Sequence, residues 1–305
     1  MKNEPKTNEI KTKSAMITIV GRPNVGKSTL TNTLVGEKIA IVSNKPQTTR
    51  NRICAIINRG DTQIVLLDTP GFHRARTKLG DYMVKVVSES VAGVDAIVLM
   101  VEPIPSAGPQ ELELIEKIKQ SKCPSILAVN KIDTVPKEQI LAVIAAYSQL
   151  CDFDAVIPIS AVKRDGTEEL MRELEKFAKP GPKLFPEDMV TDQPEKQVCA
   201  EIVREKILYC LDKEIPHGTA VVVTKFSERE DTEIIDLDVT IYCEKDSHKG
   251  IIIGKNGEML KKIGALARTD IEKFMGTKVF LQTWVKVKDN WRDSDNLLRN
   301  FGYKD

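Results

Sequence analysis

Apolar residues along the chain follow two alternating rhythms. Short runs dense in β-branched residues, "MITIV", "RICAIIN", "TQIVLLD", "DAIVLMV", "SILAV" and "DAVIPIS", occur between Ala15 and about Lys179. Stretches with helical spacing separate most of them. Leu30, Leu34 and Val35 follow the first run, "GPQELELIEKIKQ" sets Leu112, Ile115 and Ile118 on one face, and "KEQILAVIAAYSQL" continues the pattern. This alternation predicts an α/β domain with a mostly parallel, doubly wound sheet and crossover helices. Residues 179–195, "KPGPKLFPEDMVTDQPE", hold four prolines and cannot continue a helix. They read as a linker, and the expected organisation is a flexible start (1–14), a first domain (15–179), a linker (180–194) and a smaller α+β domain (195–305). The second domain reads as helix ("EKQVCAEIVREKILYCL"), two strands ("TAVVVTKF", "IIDLDVTIYCE"), a helix pair around "KGIIIGKNGEMLKKIGALARTDIEKFM", a strand ("KVFLQTWVKVK") and a terminal helix.

Composition narrows the classes. The net charge of +1 over 305 residues gives no whole-chain field toward nucleic acid or membrane, so any basic footprint must be local. No apolar run approaches the ~18 residues of a membrane span, and no secretory signal is visible. A soluble, cytoplasmic protein is expected. The six cysteines are scattered without C-x-x-C spacing and the three histidines do not cluster. They are expected to be reduced thiols rather than a zinc or redox site.

The most specific chemistry lies in "GRPNVGKSTL", where Gly21, Gly26, Lys27 and Ser28 fit G-x-x-x-x-G-K-[ST] between a strand and a helix. The main-chain amides around Asn24, Val25, Gly26 and Thr29 are suited to curl around phosphate oxygens. Lys27 reaches the β- and γ-phosphates, and the Ser28 hydroxyl ligates Mg²⁺. In "LLDTPG", Asp68 at a strand end would hold the same Mg²⁺ through water, while the Gly71 N–H meets the γ-phosphate. The polar segment "SNKPQTTRN" cannot bury itself and suits a loop ordered by γ-phosphate and Mg²⁺. Thr49 or Thr48 would supply a second hydroxyl ligand, with Thr49 preferred because it is nearer the following strand.

The base is read from "AVNKID". The Asp133 carboxylate can accept from N1–H and the exocyclic amine of guanine, whereas adenine offers an acceptor at N1 and leaves the charge unpaired. Asn130 and Lys131 accompany it, the lysine stem covering the base. Ser160 and Ala161 in "PISAVKRDG" place backbone N–H groups toward guanine O6. Four segments converging at the carboxyl ends of strands imply GTP. Phe72 stands where many GTPases carry a water-orienting glutamine, which implies slow intrinsic hydrolysis. The Asn24 side-chain carbonyl is a candidate ligand for a monovalent cation such as K⁺ at the phosphates. Catalysis would then rest on Lys27, Thr49, Gly71 and Asn24. Arg50 and Arg74 are further candidate charge stabilisers, although exposed loop arginines are commonly just solvated.

In the second domain, "IIIGKNGEML" carries G-x-x-G at Gly254, Lys255, Asn256 and Gly257. Residues 245–268 hold six basic and two acidic side chains, the local footprint the whole-chain charge lacks. A G-x-x-G between helices lets backbone approach a nucleic-acid strand and clamp about four nucleotides. Lys249, Lys255, Lys261 and Lys262 suit phosphate contacts, while Ile252 and Ile253 pack a base or the core.

Together, "GRPNVGKSTL", "QTTR", "DTPG", "NKID", "ISA", the G-x-x-G helix pair and "WVKVK" resemble the Era family of bacterial GTPases over nearly the whole chain. The resemblance implies a Ras-like GTPase domain followed by a type II KH domain. It also implies binding to the 3′ end of small-subunit ribosomal RNA and the 30S subunit, a role in small-subunit maturation, and weak peripheral contact with the inner membrane. The family carries an apolar residue after the D-x-x-G glycine, so Phe72 conforms. The expected protein is a monomeric GTP/GDP switch coupled through the 179–195 linker to RNA binding. Two other readings remain open at this point: a GTPase acting mainly through a protein or membrane partner, and an RNA-binding scaffold that holds GTP with little turnover.

Overall fold

The computed structural model describes residues 12–72, 75–230 and 232–303. In the first domain the elements run β1 (Lys13–Val20), α1 (Lys27–Val35), β2 (Ile53–Arg59), β3 (Thr62–Asp68), α2 (Lys78–Ser90), β4 (Ala96–Val101), α3 (Pro109–Ser121), β5 (Ser125–Val129), α4 (Lys137–Ser148), β6 (Ala155–Pro158), α5 (Thr167–Glu175) and β7 (Lys179–Pro180). The strands order as β2-β3-β1-β4-β5-β6, with β7 pairing antiparallel to β1. From β3 to β6 the pairs are parallel, whereas β2 runs antiparallel to β3. Only Gly60 and Asp61 join β2 to β3, which is hairpin length and too short for a crossover.

Buried apolar side chains cover both faces of the sheet. Leu30, Leu170, Met171 and Leu174 from α1 and α5 meet one face, and Val87, Leu114, Ile115, Ile118, Val143 and Tyr147 from α2, α3 and α4 meet the other. The inward face of α3 is therefore Leu114, Ile115 and Ile118, and Leu112 is exposed, a correction to the expected stripe. Leu114 lies one helical turn from Ile118, so it shares that side chain's direction, while Leu112 points away.

The segment after β7 connects the domains, but it is strapped to the first one. The Gln63 side chain is buried in β3. Its oxygen accepts from the Leu184 and Phe185 amides at 2.7 and 2.9 Å, and its nitrogen donates to the Phe185 carbonyl at 2.9 Å. Further along, the Ile56 N–H donates to the Val190 carbonyl at 2.9 Å. Four prolines stop a helix here, and pairing along the edge strand satisfies the backbone instead.

The second domain runs α6 (Glu195–Cys210), β8 (Ala220–Arg229), β9 (Thr232–Cys243), α7 (Asp246–Ile253), α8 (Glu258–Met275), β10 (Lys278–Val287) and α9 (Asp295–Asn300). Its sheet orders as β10-β9-β8, with β10 parallel to β9 and β8 antiparallel to it. Ile235, Leu237, Val239 and Ile241 alternate along β9 toward one face, where Val198, Ile202 and Val203 of α6 and Ile263, Ala267 and Ile271 of α8 close a core. This α-β-β-α-α-β order is that expected of a type II KH domain. The six cysteines are free thiols, and among the described residues no helix is long and apolar enough to cross a membrane.

Candidate functional site

The phosphate loop runs from the end of β1 into α1. Gly26 holds φ at +104°, and a Cβ there would sit 2.3 Å from the Asn130 side-chain nitrogen, so no other residue fits. Lys27 is buried and donates to the Gly21 and Arg22 carbonyls, both at 3.0 Å. Burial pushes its ammonium down to about 8, opposed by the charge of Asp68. Val25 differs from its neighbours in the loop: its side chain is fully buried in the sheet core, and only its backbone serves the site.

At the end of β3, Asp68 is fully buried and neither carboxylate oxygen has a hydrogen-bond partner. Burial pushes this carboxyl up to about 6, with Lys27 opposing the shift. Nearby, the Ser28 and Thr49 hydroxyls lie 2.8 Å apart. Thr48 turns its hydroxyl away and donates to the Lys45 carbonyl at 2.6 Å. Two hydroxyls and an unpartnered carboxylate are an all-oxygen donor set of the kind a hard divalent cation takes, so these residues fit Mg²⁺.

At the base end, Asp133 accepts from the Ser160 hydroxyl at 2.6 Å. Asn130 donates to the Val25 carbonyl at 2.8 Å and accepts from the Ala161 N–H at 3.0 Å. The Ser160 N–H donates to the Asp165 carbonyl at 2.9 Å. Both amides expected to face guanine O6 are thus engaged within the protein. Here Ser160 and Ala161 orient the Asp133 and Asn130 side chains, which corrects the sequence reading. Lys131 stands beside the cleft with its ammonium paired to Glu102. Asn24, Thr29, Ser43, Asn44 and Gly71 line the same cavity as Lys27, Ser28, Thr49, Asn130, Asp133 and Ser160.

Phe72 is 3% exposed and packs among Val20, Leu99 and Leu114, behind the cleft, and its N–H donates to the Gly21 carbonyl at 3.0 Å. The position after the D-x-x-G glycine therefore points into the core. Phe72→Gln is expected to lower stability by about 2–3 kcal/mol through lost burial and an unsatisfied amide, without raising GTP turnover. Denaturant unfolding and a phosphate-release assay check both parts.

The loop from Lys38 to Asn51 is held by the second domain, not only by phosphate chemistry. Val42 N–H donates to Glu205 at 3.0 Å, and the Lys38 ammonium meets Glu205 and Asp270 at 2.6 and 2.9 Å. Lys45 reaches the Leu211 carbonyl and Asp212. Arg204, fully buried on α6, donates to the Gln47 and Thr48 carbonyls while paired with Glu201. Arg50 is 2% exposed and donates to the Thr219 and His217 carbonyls at 2.7 and 2.8 Å and to the Tyr303 hydroxyl at 3.1 Å. Its guanidinium lies 5.6 Å from the ring centroids of both Trp291 and Tyr303. Arg50 is thus neither solvated nor a charge stabiliser at the phosphates; Arg74 lies outside the described residues. Leu79 and Met83 of α2 pack with Trp291, Leu298 and Tyr303, and Lys78 N–H donates to Asp293 at 3.0 Å. Contact between the nucleotide loops and the second domain is direct and does not pass through the 179–195 segment. Arg204, Glu205, Trp291 and Tyr303 had no motif to mark them; the signal available was three aromatics, Trp291, Phe301 and Tyr303, within a mostly polar tail.

The G-x-x-G lies between α7 and α8. Gly254 has φ +74°, and a Cβ would come within 2.7 Å of the Met259 Cβ. Lys255 and Asn256 at the tip are exposed, as are Lys261 and Lys262, while Lys249 is half-buried. Gly257 has φ +79° with open space around it. Ile252 is fully buried in the domain core and Ile253 is half-buried, so Ile252 does not face a ligand. Helical geometry turns Ile251, 49% exposed, outward in its place.

Residues 16–131 match the model of a family described as 50S ribosome-binding GTPase, and residues 214–292 match the KH domain. GTPase Era of Ruminiclostridium cellulolyticum is 54% identical over 292 residues, covering 96% of this chain and 98% of its own. GTPase Era of Clostridioides difficile is 51% identical over 294 residues, covering 96% and 99%. Among solved structures, Era in complex with MgGDPNP and nucleotides 1506–1542 of 16S ribosomal RNA superposes with a TM-score of 0.92 at 36% identity, covering 96% of this chain and 99% of that one. Aquifex aeolicus Era bound to GDP and aluminium fluoride gives the same figures, 0.92 and 36%, with coverage of 96% and 99%.

Proposed function

The chain belongs to the Era family of GTPases, and from that premise we propose that it works as a GTP-hydrolysing switch that binds the 3′ end of small-subunit ribosomal RNA and assists small-subunit maturation. The observation that carries this reading is the direct grip of the second domain on the loop that supplies Thr49. The residue that would sense the γ-phosphate is neighbour to Arg50, whose guanidinium is seated in the domain that carries the G-x-x-G. A structure of an Era protein holding both a GTP analogue and 16S RNA is consistent with the two ligands acting together.

Each side chain has a role in this reading. Asp133, held by Ser160, selects guanine; Asn130 ties the phosphate loop to the base-side loop; the Lys27 ammonium leaves its two carbonyls for β- and γ-phosphate oxygens. Ser28, Thr49 and Asp68 would hold Mg²⁺, which supplies charge neutralisation across the phosphates when bound. Thr49 is favoured over Thr48 because only its hydroxyl faces Ser28. The Asn24 amide nitrogen donates to the Asn44 carbonyl at 2.8 Å, which leaves the side-chain oxygen to ligate K⁺. Turnover is expected to be about tenfold or more faster in K⁺ than in Na⁺ and to lose that difference in Asn24→Ala; equal turnover in the two salts ends this assignment. The protein would act in the cytoplasm, with a fraction in peripheral contact with the inner membrane.

The RNA role is tested by crosslinking and sequencing the RNA bound in cells. Gly254 should be left intact, since any side chain there collides with Met259. The exposed double change Lys255→Asp, Asn256→Asp is expected to cut RNA affinity by about 100-fold while GTP binding stays normal. Recovery of 3′-terminal small-subunit RNA from the parent and not from the variant supports the reading, and an unchanged crosslink pattern overturns it.

A further inference from the structure

Helices cover one face of the second-domain sheet. Among the described residues the opposite face is covered at one end, where Tyr242 stacks on Phe301 at 4.6 Å between centroids. Beyond that end, β10 presents a single outward row: Lys278, Phe280, Gln282, Trp284 and Lys286 are all exposed, while the residues between them turn inward. Phe280 is 48% and Trp284 56% exposed. Strand geometry places these two rings about 13 Å apart on the same face. Lys288 follows in the same register, and the row contains no acidic residue.

On the adjoining strands, Asp236 is neutralised by Arg229 and Lys225 at 2.6 and 3.3 Å, and the Arg229 guanidinium lies 5.3 Å from the Phe280 ring centroid. Asp238 lies on the same face beside Gln282, so Lys225, Arg229, Lys278 and Lys286 face two acids, and Ile234 is the aliphatic residue on the outward rows of β9 and β10. The surface thus offers two aromatic planes among a surplus of cations, with little of the aliphatic area that a protein partner would bury. Bare aromatics interleaved with lysines on a sheet form a stacking platform for unpaired bases, with the lysines placed for phosphates.

We propose that the outer face of β10 is a second contact for single-stranded RNA, on which Phe280 and Trp284 each stack a base. The inference rests on the reading of this chain as an RNA-binding protein and extends it to a surface outside the G-x-x-G clamp. The two sites adjoin: α8, which starts the G-x-x-G side, packs on β10, and Gly264 of α8 faces Thr283. β10 is also the edge strand of its sheet, so a strand of RNA leaving the clamp can pass round a free edge onto this face. A clamp of about four nucleotides leaves most of a longer RNA without a partner on this domain, and this face supplies one.

The test uses the full chain and two single-stranded oligoribonucleotides sharing one sequence, of about six and about twenty nucleotides, so that only the longer can span both sites. Trp284→Ala and Phe280→Ala are each expected to weaken the longer RNA by about tenfold or more and leave the shorter unchanged, with Trp284→Phe restoring most of the loss. Lys255→Asp, Asn256→Asp should weaken both. Of the two tryptophans, Trp291 is fully buried, so quenching of tryptophan emission by the longer RNA, absent in Trp284→Phe, reports the stack directly. Equal affinity of parent and Trp284→Ala for the longer RNA, with unchanged emission, overturns the proposal. So does a Trp284→Ala change that dissociates a dimer while leaving both RNAs bound, which would assign the face to a second copy of the chain. Failure of the parent to bind either RNA overturns the RNA reading itself.

Discussion

Asp133→Asn is expected to move nucleotide preference from GTP to xanthosine triphosphate, lowering GTP affinity by about 10³-fold or more. The carboxylate has one fixed partner, the Ser160 hydroxyl at 2.6 Å, and so stands oriented at the mouth of the base pocket. Guanine offers two donors to it, N1–H and the C2 amine, and each hydrogen bond to a charged acceptor contributes about 1.5–3 kcal/mol. The asparagine amide keeps the shape but turns one acceptor into a donor, which the guanine amine cannot meet and the xanthine C2 carbonyl can. Titration calorimetry with both nucleotides checks the exchange. A uniform loss of both would show that Asp133 serves the pocket's architecture rather than its selectivity.

The other large effect is expected at Arg50. Its guanidinium is buried beside the stacked rings of Trp291 and Tyr303 and holds two carbonyls of the second domain. Arg50→Ala leaves those carbonyls without their donor and opens a space beside the two stacked rings, at a cost of about 3 kcal/mol. Because Arg50 adjoins Thr49, the same change frees the segment that carries the hydroxyl facing Ser28. The expected result is a lower unfolding midpoint, retained GDP binding, and slower GTP hydrolysis. Arg50→Lys should recover only part of this, because an ammonium cannot cover the ring faces as a planar guanidinium does or donate in a fork. Calorimetric unfolding and single-turnover hydrolysis separate the two consequences.

What was legible in the sequence is what a short stretch of chain decides for itself. A glycine-rich turn between a strand and a helix has one use, and its partners Asp68, Asn130 and Asp133 fall at strand ends where an α/β sheet collects ligands. The antiparallel direction of β2 was not read from the alternation of runs, although the two residues that join it to β3, Gly60 and Asp61, are of hairpin length. The illegible parts depend on residues far apart in sequence. Arg50 looked like a solvated loop arginine because its cage comes from His217, Thr219, Trp291 and Tyr303. The Ser160 and Ala161 amides looked free because sequence does not show that Asn130 and Asp165 claim them. Ile251 to Ile253 were a continuous apolar run, and only the packing of α7 decides that Ile252 goes in and Ile251 out. Trp284 read as one more residue of a strand until the sheet showed which of its faces is bare.

The account stands on the claim that nucleotide and RNA are read by one connected device, with Arg50 and Arg204 as the links. The most direct measurement is the affinity of the full chain for a 3′-terminal small-subunit RNA oligonucleotide in GDP and in a non-hydrolysable GTP analogue, in the parent and in Arg50→Ala. The account predicts tighter binding with the GTP analogue by a factor in the range of about 5 to 150 in the parent, collapsing toward equality in the variant. Equal affinities in the parent, or a difference that survives Arg50→Ala unchanged, would contradict it.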